Sequence, residues 1–217
     1  MLQDTGLGSK LVLGHEDLME PVLYPRAFTA PGWIFEMKVD GFRALARSRG
    51  GKVSLISRTG RELGAQFPEV ISALASIPGN WHLDAELVVP DGRGHPDWER
   101  LRRRSVMRRP VSIDAAARAE PAALCVSDML TLGRSDLRDL STEERKARLA
   151  RAIPPTPGIQ IVSVIEVHGE AAFAKACELD LEGVVAKRSD APYQPGKRPT
   201  WRKIRNQRYS RQADGHR

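Results

Sequence analysis

The octet Glu36-Met37-Lys38-Val39-Asp40-Gly41-Phe42-Arg43 carries the strongest signal in this sequence. Apolar and polar residues alternate over 33–39, which predicts a strand, and Asp40-Gly41 is a pair typical of a tight turn. Lys38 therefore lies near a strand end, among acidic and basic neighbours. A desolvated lysine beside other cations loses its proton more easily and becomes a nucleophile. The alternative is a lysine on an exposed strand whose charge stays in solvent, and the octet alone leaves both interpretations open.

The segments around the octet predict an α+β fold with antiparallel sheets flanked by helices, in one compact domain. Residues 1–30 are expected to form an irregular arm. Strands over 43–49 and 52–57 flank Gly50-Gly51, a pattern typical of a hairpin. Ser141 and Glu144 fit a capping box at the start of a helix that ends near residue 153. Further strands are predicted over 81–90, 122–132, 159–167, 183–188 and 201–206, further helices over 68–77 and 170–179 and in the arginine-rich segment after residue 94, and a loop over 189–200.

Composition excludes several classes of protein. The chain has 217 residues, of which 41% are hydrophobic, enough for a buried core. No apolar run approaches the roughly 18–20 residues that a membrane span needs, and the N-terminus lacks the pattern of a signal peptide. We therefore expect a cytoplasmic protein without a membrane partner. Cys125 and Cys177 are too few for a disulfide framework or a zinc site, and we interpret both as small buried hydrophobes.

The formal net charge of +7 makes nucleic acid a reasonable partner. The positive charge is concentrated in two segments, the arginines of 100–109 and the tail over 202–217. The first segment either meets phosphates or forms a solvated helix face, and the sequence leaves both interpretations open. For the last ten residues we expect a frayed terminus.

Five segments that follow the octet complete a recognisable order of motifs, and they lie at 57–60, 83–86, 125–130, 182–187 and 193–205. Together with the octet they resemble motifs I to V of the covalent nucleotidyltransferases, which include ATP-dependent DNA ligases, RNA ligases and mRNA capping enzymes. Residues 133–138 and 192–196 are most similar to bacterial ligases of the non-homologous end-joining type. The resemblance covers about residues 20–206. A match to a single motif needs support from its surroundings, and here the other motifs follow in the order of the family. It implies an ATP-grasp-like covalent nucleotidyltransferase domain.

The resemblance implies an ATP-dependent DNA ligase adenylation domain over 1–206, a basic tail over 207–217 and no C-terminal OB-fold domain. Lys38 would attack the α-phosphate of ATP, expel pyrophosphate and hold AMP. Lys203 would neutralise the α-phosphate in the transition state and favour the neutral form of Lys38. Glu86 and Glu182 would bind Mg²⁺, which prefers oxygen ligands, and Glu86 would instead, or also, accept from a ribose hydroxyl. The AMP would then pass to DNA with nicks or ends in repair or recombination.

Further residues are implied to contact the nucleotide. Glu36 would meet the adenine edge, whereas Arg43 and Arg58 would fix the ribose and phosphates. Lys187 would lie near the phosphates. Lys197 stands where the family usually carries an arginine that contacts the leaving phosphates. The full set implied to bind the nucleotide is Glu36, Asp40, Arg43, Arg58, Glu86, Ser127, Lys187, Lys197 and Lys203.

One departure from the family pattern concerns the residue expected to stack on the adenine of ATP. Ser127 stands where the family usually places an aromatic residue that stacks on adenine, an interaction worth roughly 1–3 kcal/mol per base. We therefore expect either weaker ATP binding or weaker selectivity for the base. Without an OB-fold domain in the chain, a separate OB-fold or end-joining protein is a further partner to consider. Two alternatives stay open from the sequence: a non-catalytic DNA-binding remnant, and an RNA ligase or other nucleotidyltransferase.

Overall fold

The computed structural model describes residues 11–166 and 168–210, which form two β-sheets packed with α-helices. The strands are β1 Met19–Leu23, β2 Trp33–Met37, β3 Phe42–Arg49, β4 Lys52–Ser57, β5 Trp81–Val88, β6 Ala123–Leu132, β7 Ser135–Asp136, β8 Ile159–Ile161, β9 Ile165–Glu166, β10 Gly183–Arg188 and β11 Gly196–Arg205. The helices are α1 Pro68–Ala75, α2 Trp98–Ser105, α3 Pro110–Ala119, α4 Thr142–Ala152 and α5 Gly169–Glu178.

The two sheets are largely antiparallel, as the sequence predicts. The five-stranded sheet has the order β1-β11-β10-β2-β9, and the six-stranded sheet has the order β4-β3-β5-β6-β7 with β8 added beside β6. Two pairs are parallel, β1 with β11 and β6 with β8. Since the remaining pairs among the described strands are antiparallel, the predicted α+β class is confirmed.

Alternation along the strands gives each sheet an apolar outer face and a polar inner face. Phe35, Val184 and Ile204 of the five-stranded sheet pack against Ala172 and Ala176 of α5. The outer face of the six-stranded sheet packs with α1, α2 and α4 in the largest apolar cluster. The inner faces meet at one end through a smaller cluster that includes Leu13, Leu18, Met19, Leu45, Leu130, Tyr193 and Trp201.

Elements with a strong local signal are confirmed. The β3–β4 hairpin turns at Gly50 and Gly51, and both glycines have the positive φ that such a turn requires. At the start of α4, the Ser141 hydroxyl accepts from the Glu144 backbone N–H, and the Glu144 carboxylate accepts from the Ser141 backbone N–H. The capping box is therefore present as predicted.

Three expectations about the elements were wrong, and in each case tertiary pairing overrides the local pattern. The arm over 1–30 contains β1, which forms only by pairing with β11. The strand predicted over 159–167 is two strands, because β8 pairs with the six-stranded sheet and β9 with the five-stranded sheet. The loop predicted over 189–200 ends earlier, since β11 already begins at Gly196.

The arginine-rich region holds α2 as predicted and also α3, which begins with a proline at its first turn. Cys125 is buried as expected, but Cys177 is partly exposed. Residues 211–217 of the predicted basic tail lie outside the described residues. Tyr209 is buried rather than frayed. Within the described part of the chain, no helix has both the length and the apolar character to cross a bilayer.

Candidate nucleotide-binding site

A cleft of about 440 Å³ opens between the two sheets, and a smaller cavity of about 90 Å³ continues it inward. Both spaces are lined by Pro21, Lys38, Arg43 and Glu86. The outer cleft is lined further by charged side chains, namely Glu20, Asp40, Arg58, Arg61, Glu182, Lys203 and Arg205. The inner cavity is lined further by Glu36, Met37, Val39, Ala85, Cys125, Ser127, Val162, Val185, Lys187 and Trp201.

Lys38 stands at the boundary between the two spaces. It follows the last residue of β2, and its backbone N–H donates to the Gly183 carbonyl oxygen at 2.9 Å. Its Nζ donates to Glu182 Oε2 at 2.5 Å. Gly183 has a φ of +138°, and a Cβ there would lie 2.0 Å from the Ile204 carbonyl oxygen. Only glycine fits this position, and its close contact with β11 holds Glu182 beside Lys38.

Lys203 joins Lys38 on the same inner face of the five-stranded sheet. It pairs with Val185 in β10, which pairs in turn with Glu36 in β2. Burial lowers the pKa of Lys203, and the nearby charges of Arg205 and Lys38 lower it further. These three cations lie among the six described ones that line the outer cleft, which is therefore suited to bind phosphate.

Glu86 and Glu182 face this cleft from different sheets. Burial raises the pKa of Glu86 to about 7, and Glu182 raises it as well, whereas Lys38 and Arg43 oppose the shift. Among the described residues, no group of three or more metal-ligating side chains forms. Mg²⁺ is usually held by one or two carboxylates together with phosphates and water, so this pair of carboxylates fits the ion.

Glu36 lies at the buried end of the inner cavity, between two lysines. Its Oε2 is 2.7 Å from Lys187 Nζ, and its Oε1 is 2.7 Å from Lys146 Nζ. Lys187 also lies 4.0 Å from the centre of the Trp201 ring, and burial lowers its pKa. The structure thus places Lys187 in the inner cavity beside Glu36, and its contact with the phosphates stays a prediction.

Arg43 is fixed by an ion pair across the six-stranded sheet. Its Nε and Nη2 donate to the two carboxylate oxygens of Asp84, both at 2.6 Å, and Nη2 also donates to the Met19 carbonyl oxygen. Burial alone would lower the pKa of Arg43, but Asp84 raises it above its ordinary value. Tyr193 donates to the same carboxylate at 2.8 Å. These hydrogen bonds hold the Arg43 guanidinium in one orientation where it lines the cleft.

Arg58 and Asp40 line the outer cleft as well. Arg58 is exposed at the end of β4, where its backbone N–H donates to the Arg43 carbonyl oxygen at 2.9 Å. Asp40 accepts from the Tyr209 hydroxyl at 2.9 Å. Tyr209 thus links the segment after β11 to the turn that follows Lys38.

Ser127 and Lys197 have contrasting positions. Ser127 lines the inner cavity and donates through Oγ to the Asp84 carbonyl oxygen at 3.2 Å. Lys197 is exposed near the start of β11, paired with Glu20 of β1. Of the predicted nucleotide contacts within the described residues, Lys197 is the one that lines neither space.

Comparison with known proteins assigns the family. Residues 23–205 match the model of the ATP dependent DNA ligase domain. The chain belongs to this family. DNA ligase C1 of Mycolicibacterium smegmatis is 36% identical over 190 residues, which cover 83% of this chain and 54% of that protein. The multifunctional non-homologous end joining protein LigD of Pseudomonas aeruginosa is 31% identical over 81% of this chain and 20% of that protein. This chain therefore spans between a fifth and about half of these relatives.

Solved structures agree with this assignment. The mycobacterial DNA ligase D complexed with ATP and MES superposes with a TM-score of 0.70 and 29% identity, over 87% of this chain and 60% of that one. The bacteriophage T7 ligase complex with ATP has a TM-score of 0.63 at 16% identity, over 88% of this chain and 69% of that one, and it supports the fold alone. The predicted resemblance to bacterial end-joining ligases is confirmed.

Sequence reasoning missed Lys146, although the pattern of α4 contains the signal. The buried side of this helix carries Thr142, Arg145, Lys146 and Leu149, so two cations occupy core positions. Arg145 is fully buried in an ion pair with Asp128, with both hydrogen bonds at 2.9 Å. A charge on the buried face of a helix requires a partner, and this rule points to both residues.

The arginine-rich segment divides between two roles. Arg104 is fully buried and pairs with Glu69, while Arg103 pairs with Glu120 at the surface. Trp98 and Ser105 of the same helix line the outer cleft. The sequence offers phosphate contacts or a solvated helix face for these arginines. Arg104 has neither role, because its buried ion pair with Glu69 holds α2 against α1.

Proposed function

We propose that the protein transfers AMP from ATP to Lys38 and then to the 5′-phosphate of a DNA break, which it seals. The position of Lys38 at the boundary of two chemically different spaces carries this proposal. The inner cavity has apolar walls and a carboxylate at its end, which suits a purine base. The outer cleft carries several cations, which suits a triphosphate.

The orientation of ATP follows from this division. Adenine would lie between the apolar side chains of the inner cavity, with Val185 on one wall and Glu36 at the end. The ribose would pass Glu86 and Arg43, which line both spaces. The triphosphate would extend towards Arg58, so the α-phosphate would lie beside Lys38. The mycobacterial DNA ligase D, to which this chain is similar, is complexed with ATP, which supports ATP as the ligand.

The chemical step needs a neutral amine. Glu182 Oε2, 2.5 Å from Lys38 Nζ, is the adjacent acceptor for its proton. The free amine would attack the α-phosphorus, forming a P–N bond while the bond to pyrophosphate breaks, and the second proton of the amine would leave with the pyrophosphate. Lys203 and Arg205 would stabilise the charge that develops on the phosphate oxygens, because fixed cations in a partly buried site act strongly there.

Glu86 and Glu182 would hold Mg²⁺ together with phosphate oxygens. A divalent cation supplies charge neutralisation to the phosphates. Because Glu182 Oε2 accepts from Lys38, the other carboxylate oxygen of Glu182 would be the one that holds the ion.

The DNA partner is proposed from the family and its relatives. Both curated relatives described above carry ligase or end-joining names, so nicks and ends with a 5′-phosphate are the proposed acceptors. We place the reaction in the cytoplasm, where ATP and DNA meet. An end-joining protein is the proposed further partner, since one relative is a non-homologous end joining protein.

Labelling with ATP tests the first step. The protein is incubated with α-labelled ATP and Mg²⁺ and separated on a denaturing gel, beside Lys38→Ala and the control Lys52→Ala. Lys52 is exposed in the β3–β4 hairpin, so its loss removes a lysine away from the cleft. We expect label on the wild type and on Lys52→Ala and none on Lys38→Ala. Label that persists without Lys38, or no label on the wild type, contradicts the proposal.

A chase distinguishes the acceptors. Labelled protein is mixed with nicked DNA that bears either a 5′-phosphate or a 5′-hydroxyl, and with nicked RNA. We expect label to move only to the 5′-phosphate of DNA, followed by sealing. Transfer to RNA alone would assign an RNA acceptor instead.

A further inference from the structure

We propose that Lys146 is a positioning residue for base selection, which holds Glu36 so that the site prefers a purine with an amino group at C6. This inference rests on the proposed adenosine site, and it concerns a residue outside the motif segments. Lys146 lies on α4, within the layer that packs on the six-stranded sheet, whereas Glu36 belongs to the five-stranded sheet.

The ammonium group of Lys146 is held in one place by an ion pair and two hydrogen bonds. Its Nζ lies 2.7 Å from Glu36 Oε1 and donates to the carbonyl oxygens of Val162 at 2.8 Å and Ser127 at 3.4 Å. The contact with Glu36 is a charge contact rather than an aligned hydrogen bond, so the buried Glu36 Oε1 accepts no hydrogen bond from the described residues. The side chain is buried, which leaves it little freedom to move.

Glu36 is held from its other side by Lys187. Lys187 Nζ lies 2.7 Å from Oε2 and donates to the Ser127 carbonyl oxygen at 3.4 Å. Each carboxylate oxygen therefore has its own cation, and the two cations come from different elements of the fold. A carboxylate has about four acceptor positions, so acceptor capacity remains for a ligand.

This arrangement favours one kind of base. An ionised carboxylate only accepts hydrogen bonds, and the 6-amino group of adenine can donate to it. The 6-oxo group of hypoxanthine or guanine would instead place an acceptor against an acceptor in a buried cavity, which is unfavourable. Without Lys146, Oε1 loses its cation, and the carboxylate is free to turn away from the position in which it opposes a 6-oxo group.

Binding of ATP and ITP, which differ in this group, tests the inference. All variants carry Lys38→Ala, so that no covalent step follows binding and the affinities are read by calorimetry. Lys146→Met keeps the apolar stem without the charge, and Lys146→Arg keeps the charge. Arg148→Met removes a cation from the exposed side of the same helix and is the matched control. Thermal unfolding of each variant checks its fold.

We expect Lys146→Met to reduce the preference for ATP over ITP by about tenfold or more, since unpaired polar groups give strong discrimination. Lys146→Arg should recover part of the preference, and Arg148→Met should retain it. Equal loss of both affinities in Lys146→Met would show a merely structural role and overturn the inference. If Lys146→Met does not fold, Lys146→Gln gives the same test. Because binding is measured without chemistry, failure of the Lys38 labelling would be a separate result.

Discussion

Gly183→Ala should disable the site without changing any group that touches the substrate. A Cβ at this position would lie 2.0 Å from the Ile204 carbonyl oxygen, and real contacts of this kind are essentially never closer than 3.0 Å. The strands β10 and β11 must therefore separate by at least about 1 Å. Glu182, the neighbouring residue, would move relative to Lys38 and Lys203. A displacement of about 1 Å can cost roughly 100-fold in rate, so we expect a loss of that order in AMP labelling.

The control for this prediction is Gly196→Ala. Gly196 also has a positive φ, of +76°, but a Cβ there would meet nothing within 4 Å. Its replacement introduces backbone strain of about 1–3 kcal/mol without moving a neighbour. Labelling is measured in a single turnover with saturating ATP, well below the unfolding temperature of each variant. Equal rates for the two folded variants would refute the reasoning that contact with β11 positions the site.

Three further predictions concern the buried groups around the site. Asp128→Asn leaves Arg145 buried without its partner, so urea unfolding should show a loss of about 3–5 kcal/mol in stability, and no loss would contradict the role of this pair. Burial lowers the pKa of His82 to about 4 from an unfolded value near 6.5. The unfolded chain therefore binds a proton more readily, so the free energy of unfolding should be unaffected by His82 above pH 6.5 and should decrease as the pH falls from 6.5 towards 4. The free energy of unfolding should depend less on pH in His82→Gln than in the wild type. Identical pH curves for the two proteins would contradict a role for His82 in this dependence. Tyr209→Phe removes the hydrogen bond to Asp40, so AMP labelling should slow by about two- to tenfold with ATP affinity unchanged, whereas an unchanged rate would remove Tyr209 from the site.

The sequence predicts the parts of the fold that depend on local chemistry. Gly50 and Gly51 determine the hairpin, and Ser141 with Glu144 determines the start of α4, because neighbouring residues satisfy these structures. β1 and the division of 159–167 into two strands depend on partners far away in the chain. No local pattern contains that information, since the two halves of 159–167 pair with different sheets.

In the candidate site, too, some residues are predicted by the sequence and others are found only from tertiary contacts. The motif resemblance selects Lys38, Glu86, Glu182 and Lys203, and the structure brings all four to one cleft. Their roles stay predictions until the labelling is done. Lys146 lies in no motif, and its importance appears only when α4 is packed against β6 and its ammonium meets the Glu36 carboxylate. A linear pattern can indicate that a cation is buried, but it does not identify the partner.

The central claim, that Lys38 is the nucleophile, is tested most directly by locating the adduct. The protein is incubated with ATP and Mg²⁺, digested, and analysed by mass spectrometry for peptides that carry AMP. The account predicts a single adenylated site, at Lys38. AMP on Lys203 or another residue, or no adduct on protein that binds ATP, would contradict it.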